Sequence, residues 1–282
     1  MLDWSKPLIP HTRPWITQED VEAVSKTLQS RFIGKWKKTE ELERVISGIT
    51  FAPTVCVGSG RTALVQAMKL LGSKRVYIPT YSSDDLLDAC LWAGCTPVPY
   101  DIGATIFRDT LVKVHQEIEP TDYFDNVKII HDFAHFWPKM FKLHKETEMA
   151  VFSFGHAKPI TGGTGGAISG HATFDRHKLW CNSPMNDISA SLVLSQLNRP
   201  KRTKRLIIID GGLDECENYF ISRRITVRHE TGGLVHRMMG LPDKDFPKAV
   251  ERWNTVVSLP NHPDLTDEEK QRIDDACRDY SV

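Results

Sequence analysis

Short apolar runs alternate with amphipathic stretches through the first two thirds of the chain. The runs that are typical of buried strands are residues 54–57, 75–79, 96–100 and 149–152. Between the runs, apolar residues recur three and four positions apart, as Val21, Val24 and Leu28 do after Thr17, which predicts capped amphipathic helices. Strands that alternate with helices imply right-handed crossovers and a largely parallel sheet, whose ligands bind at the carboxyl ends of the strands.

The last third of the chain has a different pattern. It predicts strands at 206–209 and 225–227 and helices at 213–222, 246–257 and 266–279. A basic run between Arg199 and Arg205 precedes it, and we interpret this run as a solvated linker, with a nucleotide diphosphate or nucleic acid as the alternative ligand. We therefore expect a large α/β domain, residues 1–199, and a small C-terminal α+β domain, residues 200–282.

Charge and cysteine content narrow the class of protein. The 36 basic residues balance the 36 acidic ones, so we expect no nucleic-acid partner. The chain has no run of eighteen apolar residues and its first residues lack the pattern of a signal peptide, so we expect a cytoplasmic protein without membrane association. The six cysteines form no CxxC pair, which argues against a disulfide framework and a structural zinc site.

Lys158 is the first candidate for chemistry. It follows the buried run 149–152 and precedes a loop that contains four glycines, at 162, 163, 165 and 166. A lysine held at the floor of a cleft can condense with carbonyl compounds or with pyridoxal phosphate. The ordinary alternative is a surface lysine before a turn.

Two further motifs lie where strands end. The small-residue turn that includes Gly60, Arg61 and Thr62 joins a strand to a helix start, an arrangement in which free N–H groups and the helix dipole can bind a phosphate. Asp132 ends another apolar strand, where its carboxylate suits a pyridinium nitrogen or simply caps the next turn. His131 and His135 have the i, i+4 spacing of a metal pair, but no further ligands complete such a site nearby.

In this order the motifs resemble the DegT/DnrJ/EryC1/StrS family of pyridoxal-phosphate-dependent sugar aminotransferases. The resemblance runs from about Arg13 to Gln196 and returns in the tail at 246–247 and 258–269. It implies the type I, aspartate-aminotransferase-like fold, with a mostly parallel central sheet and a reduced C-terminal α+β domain. It also implies transfer of an amino group from an amino acid, glutamate being expected, to a keto group of a nucleotide-linked sugar.

The resemblance assigns three roles near the cofactor ring. Lys158 matches the lysine that forms the Schiff base with pyridoxal phosphate and moves the proton during transfer. Asp132 matches the aspartate that keeps the ring nitrogen protonated, so that the ring acts as an electron sink. His135 matches a residue near the phenolic oxygen of the ring.

The resemblance also implies a phosphate site and a dimer. Gly60, Arg61 and Thr62 match the turn that holds the cofactor phosphate. Ser153 matches a serine that also binds this phosphate. Asn182 matches an asparagine that reaches into the partner subunit's site, which implies a homodimer with shared active sites.

The chain departs from the family pattern at several positions. Arg61 stands where a small hydroxyl residue is usual, and Thr164 stands where the glycine loop normally has an acid. Ser83 occupies the place of the aromatic residue that stacks on the ring, with Tyr81 as a candidate substitute. Two alternatives follow: a non-transaminating, dehydratase-like sugar enzyme, against which Lys158 argues because the dehydratases have histidine there, and a catalytically lapsed binding or regulatory homologue.

Overall fold

The computed structural model describes residues 6–115, 126–171, 183–199, 205–209 and 213–280. Its helices are α1 (Gln18–Gln29), α2 (Lys37–Thr50), α3 (Gly60–Leu70), α4 (Asp84–Ala93), α5 (Asp187–Ser195), α6 (Leu213–Ser222), α7 (Val235–Met238), α8 (Pro247–Thr255) and α9 (Asp267–Tyr280). Its strands are β1 (Thr54–Val57), β2 (Arg75–Pro79), β3 (Thr96–Tyr100), β4 (Asp109–Val114), β5 (Val127–Asp132), β6 (Glu148–Ser153), β7 (Gly166–Gly170), β8 (Arg205–Ile208), β9 (Arg228–His229) and β10 (Val256–Leu259). None of the described helices combines the length and the hydropathy that crossing a membrane requires.

The chain forms two compact units. One, here called the sheet unit, comprises Ile16–Pro79 and Asp84–Arg199. The other, here called the tail unit, comprises Met1–Trp15, Thr80–Ser83 and Pro200–Val282.

The sheet unit is built on strands in the order β1-β7-β6-β5-β4-β2-β3. The pairs from β6 to β3 are parallel, and β7 runs antiparallel to both of its neighbours. This arrangement confirms the mostly parallel sheet predicted from the alternation of strands and helices. The register sets Asp132 opposite Val151, two residues before the end of β6, so the end of β5 lies beside the segment that leads to Lys158.

The core of this unit explains why β6 precedes the candidate lysine. Phe152 and Phe154 are fully buried, and Phe133, which follows β5, stacks on Phe152 with the ring centroids 5.4 Å apart. The end of β6 and the residue that follows it are therefore anchored in the apolar interior. Ser153, between the two phenylalanines, is only partly buried, and its side chain lies beside Gly60.

Asp187, the first residue of α5, caps a different helix. Its carboxylate accepts hydrogen bonds from the backbone N–H groups of Trp36 (2.8 Å), Lys38 (3.0 Å) and Thr39 (3.0 Å) and from the Thr39 hydroxyl (2.7 Å). These are donors that the first turn of α2 leaves without partners inside the helix. Burial opposes ionisation of Asp187, but the hydrogen bonds from Thr39 and the backbone hold its pKa below the ordinary value.

We expect Asp187→Ala to lower the free energy of unfolding by about 3 kcal/mol, because four donors lose their acceptor at once and the two on Thr39 are fully buried. Glu41→Ala is the matched control. Glu41 pairs with Lys38 at the same helix start, but both side chains are 44% exposed, and its loss should change stability by less than about 0.5 kcal/mol. Urea unfolding of the two variants measures the difference, and equal effects would contradict the role given to Asp187.

The tail unit contains a smaller antiparallel sheet in the order β8-β10-β9. Two predictions for this region were wrong. Residues 225–227 do not form a strand. Ile225 makes a single β-bridge to Ile9, and the nearest strand, β9, begins at Arg228. Helix α8 stops at Thr255 instead of continuing to 257, because Val256 pairs with β8 and Val257 pairs with both β8 and β9, an environment that β-branched residues favour.

Candidate active site

The candidate residues of the sheet unit meet where strands end and α3 begins. A Cβ atom added to Gly60 would lie 2.6 Å from the Cβ atom of Ser153. A Cβ atom added to Gly155 would lie 3.8 Å from Cγ of Lys158 and 4.0 Å from Oγ of Ser153. The structure therefore brings the start of α3, Ser153 and the stem of Lys158 together.

The start of α3 has the strand–turn–helix arrangement that the sequence predicts for phosphate binding, and this turn is here called the cradle. Ser59 is the N-cap of the helix, and its Oγ accepts a hydrogen bond from the Thr62 N–H at 3.1 Å. The glycine loop packs directly against this turn, since a Cβ atom on Gly166 would lie 2.5 Å from the carbonyl oxygen of Ser59. The Thr164 hydroxyl donates to the carbonyl oxygen of Gly58 at 2.8 Å. The first turn of α3 is thus held firmly, and it is the part of a helix that binds anions.

Gly60→Ala should damage this cradle. The new methyl group would overlap Ser153, and contacts below 3.0 Å with a Cβ atom can be relieved only by a shift of the backbone. We expect a loss of about 1–3 kcal/mol in the free energy of unfolding and at least tenfold weaker binding of pyridoxal phosphate.

Gly48→Ala is the control, because Gly48 lies in α2 with nothing within 4 Å of the added methyl group. That change should stabilise the protein by about 0.5–1 kcal/mol and leave binding unchanged. Urea unfolding and absorbance titration measure both quantities. Unaltered binding by Gly60→Ala would show that no ligand depends on the close approach of Gly60 to Ser153.

Asp132 is buried with one oxygen engaged. Its Oδ1 accepts a hydrogen bond from the Ala134 N–H at 2.8 Å, so the predicted turn cap is present. For the other oxygen the described residues provide no hydrogen bond. Burial raises the pKa of Asp132 to about 6, and the charge of Lys158 opposes this rise. A charged N–H donor at the second oxygen would stabilise the ionised form.

Lys158 is half-buried and its backbone N–H donates to the carbonyl oxygen of Gly155 at 3.1 Å. Within the described part of the chain its amine makes neither an ion pair nor a hydrogen bond. Its charge does act on Asp132, which places the two groups within electrostatic reach of each other. An amine without a salt-bridge partner, beside a cradle for an anion, is arranged for reaction with a carbonyl compound that carries a phosphate.

Arg61 does not direct its charge into the cradle. Its Nε donates to Asp85 at 2.9 Å, a second nitrogen forms an ion pair with Asp85, and a third lies 3.2 Å from Asp88. Both acids are on α4. A contact between Arg61 and a phosphate would therefore come from its backbone N–H. Sequence reasoning missed Asp85, although its place in the first turn of α4 is visible in the sequence.

Three candidate residues remain: His135, Tyr81 and Asn182. His135 is exposed in the sheet unit. Tyr81 belongs to the tail unit, where it bridges to Leu234 and its ring lies edge-on to Trp253 at a centroid distance of 6.4 Å. Burial raises the pKa of Tyr81 above its usual range. Asn182 lies outside the described residues.

The structure does not support the metal pair of His131 and His135. Nδ1 of His131 lies 3.0 Å from Nε2 of His115, and both rings pack in the core around Phe133 and Phe141. Burial lowers the pKa of His131 to about 3, so the ring is neutral. Among the described residues no group of three or more histidine, cysteine or acidic side chains could hold a metal ion.

Comparison with known proteins extends over nearly the whole chain. No protein-family model matches it. A spore coat polysaccharide biosynthesis protein, SpsC of Bacillus subtilis (strain 168), is 21% identical in an alignment of 378 positions that covers 96% of each protein.

Solved structures resemble the chain strongly. The candidate sugar aminotransferase Spr1654 from Streptococcus pneumoniae, in its PLP-form, has a TM-score of 0.79 at 21% identity, with 97% of this chain and 98% of that one covered. PseC of Helicobacter pylori, an aminotransferase involved in the biosynthesis of pseudoaminic acid, has a TM-score of 0.77 at 15% identity, with 98% and 100% covered. DesI, solved in the presence of its TDP-sugar product, has a TM-score of 0.78 at 17% identity, with 99% and 94% covered. The chain thus has the type I fold of the pyridoxal-phosphate-dependent sugar aminotransferases, as the resemblance in its sequence implies.

Proposed function

We propose that the chain is a pyridoxal-phosphate-dependent aminotransferase that moves an amino group from glutamate to a keto group of a nucleotide-linked sugar. The observation that carries the proposal is the grouping of three features in the sheet unit. They are the amine of Lys158, the buried carboxylate of Asp132 and the anion cradle between Gly60 and Ser153.

These residues fit the cofactor. When bound, pyridoxal phosphate supplies an electron sink for the bonds at the amino-bearing carbon. The second oxygen of Asp132 would accept the N–H of a protonated pyridine ring, and that partner would in turn keep the buried carboxylate ionised. The N–H groups at the start of α3, with the Ser153 hydroxyl beside them, would hold the phosphate.

Lys158 has two tasks in this proposal. Its amine would hold the carbonyl carbon of the cofactor before the amino donor arrives. Once glutamate displaces it, the same Nζ would remove the proton from the α-carbon of the donor and return it on the cofactor side. The absence of a salt-bridge partner for this amine in the described residues leaves it free to move between the two positions.

Similar solved structures support the proposed cofactor and substrate class. Spr1654 is described in PLP- and PMP-forms, which are the two states that an aminotransferase alternates between, and DesI is described with a TDP-sugar product. Glutamate as donor and the homodimer with shared active sites rest on the sequence resemblance and stay predictions. The cytoplasmic location, expected from the pattern of apolar residues, is likewise a prediction. Asn182 keeps its proposed role at the partner subunit's site on the same basis.

Product analysis tests the proposal. Protein loaded with pyridoxamine phosphate is incubated with nucleotide-linked 3-keto, 4-keto and other keto sugars, and the products are identified by mass spectrometry. We expect amination of at least one sugar, sustained by added glutamate. If the cofactor binds but neither glutamate nor any other amino acid reacts, the result contradicts the aminotransferase and favours the lapsed regulatory homologue.

A further inference from the structure

Arg61 joins two helices at the cradle. It is the second residue of α3, and its guanidinium group reaches the first turns of α4, where it pairs with Asp85 and Asp88. The guanidinium carbon also lies 5.2 Å from the centre of the Trp92 ring. Three separate contacts therefore fix one side chain, and a planar guanidinium suits such a combination better than an ammonium group does.

In the absence of Arg61, the negative charges of Asp85 and Asp88 would weaken the binding of an anion at the start of α3. The charge of Asp85 reaches Asp132, since it contributes to the raised pKa of that carboxyl group. Without a counter-charge, Asp85 and Asp88 would oppose a phosphate dianion at the start of α3. Asp84, exposed in the same turn, adds to the negative field. Arg61 is the cation that offsets this field.

We propose that Arg61 is a positioning residue of the phosphate cradle, which acts by neutralising Asp85 and Asp88 without its side chain contacting the phosphate. This inference rests on the proposed function, because it assumes that the cradle binds the phosphate of the cofactor. It differs from a direct phosphate-binding role in a testable way: removing the aspartates should compensate for losing the arginine.

The test compares four proteins at low ionic strength, where charge interactions over such distances are least screened. They are the wild type, R61M, D85N/D88N and R61M/D85N/D88N. Dissociation constants for pyridoxal phosphate and for pyridoxal, which lacks the phosphate, are measured by absorbance titration. Urea unfolding verifies that each variant folds.

We expect R61M to bind pyridoxal phosphate about tenfold more weakly and the triple variant to return to within about threefold of wild type. D85N/D88N, in which the arginine is left without its acids, should bind pyridoxal phosphate more tightly than wild type. Pyridoxal should bind all four proteins alike. This last readout separates the charge effect from a general disturbance of the site, which would weaken both ligands.

Three results would overturn the inference. The triple variant could remain as weak as R61M, which indicates direct contact with the phosphate. R61M could bind like wild type, or D85N/D88N could fail to bind more tightly than wild type. The D85N/D88N result decides the matter even if R61M does not fold. A wild-type protein that binds no pyridoxal phosphate at all would instead contradict the proposed function, and the inference with it.

Discussion

Lys158→Ala is expected to abolish amino transfer, with kcat lowered by at least about 10³-fold, because the variant loses both the amine that holds the cofactor and the group that moves the proton. Stability should change little, since the amine of Lys158 has no hydrogen bond or ion pair within the described residues. The half-reaction with glutamate, followed by stopped-flow absorbance, measures the loss.

Lys142→Ala is the matched control. Lys142 is an exposed lysine of the sheet unit, and its removal should leave the half-reaction within about twofold of wild type. If the Lys158→Ala variant reacts with glutamate at the wild-type rate, Lys158 has no role in the reaction. A variant that reacts more slowly but recovers with added small amines would support the proton-transfer role.

Asp132→Asn is expected to raise the stability of the protein at neutral and alkaline pH and to lower its activity. Burial raises the pKa of Asp132 from 3.8 to about 6 in the folded protein, so the fold holds its proton more tightly than the unfolded chain does. Stability therefore falls as pH rises from 3.8 to 6, and above pH 6 the ionised group costs up to about 3 kcal/mol. Asparagine keeps the acceptor for the Ala134 N–H and has no charge to bury.

The variant without cofactor should consequently unfold at a higher temperature than wild type at pH 8, and the difference should vanish near pH 4. Its amino transfer should fall about 10²-fold or more, because a neutral amide cannot keep the ring nitrogen protonated. Glu146→Gln, an exposed control, should change neither quantity. Equal melting temperatures of Asp132→Asn and wild type across this pH range would contradict the buried, partly uncompensated carboxylate.

Local patterns predicted the elements that position the site. The bounds of β1, β2 and β3 match the predictions residue for residue, because each strand coincides with an apolar run that is visible in the segment itself. The strands β4, β7 and β10 were not predicted. The pairing of β10 with both β8 and β9 is set by residues distant in the chain, and nothing local separates Val256 from the helix before it.

The residues of the candidate site could be predicted from the sequence, but the partners of their side chains could not. The order of motifs indicated Gly60, Asp132, Ser153 and Lys158, and the structure places the corresponding strand ends and helix start next to one another. The partners of side chains were harder to predict. The direction of Arg61 depends on acids of α4, and the core position of His131 depends on His115, sixteen residues away. Such choices follow from the packing between elements, which periodicity does not specify.

The most direct test of the central claim is an absorbance titration of the wild-type protein. Pure protein is mixed with pyridoxal phosphate, its visible spectrum is recorded, and glutamate is then added. The account predicts a visible band that is saturable, depends on Lys158 and is bleached by glutamate. A correctly folded wild-type protein that gives no band, or the same band after Lys158→Ala, would contradict it.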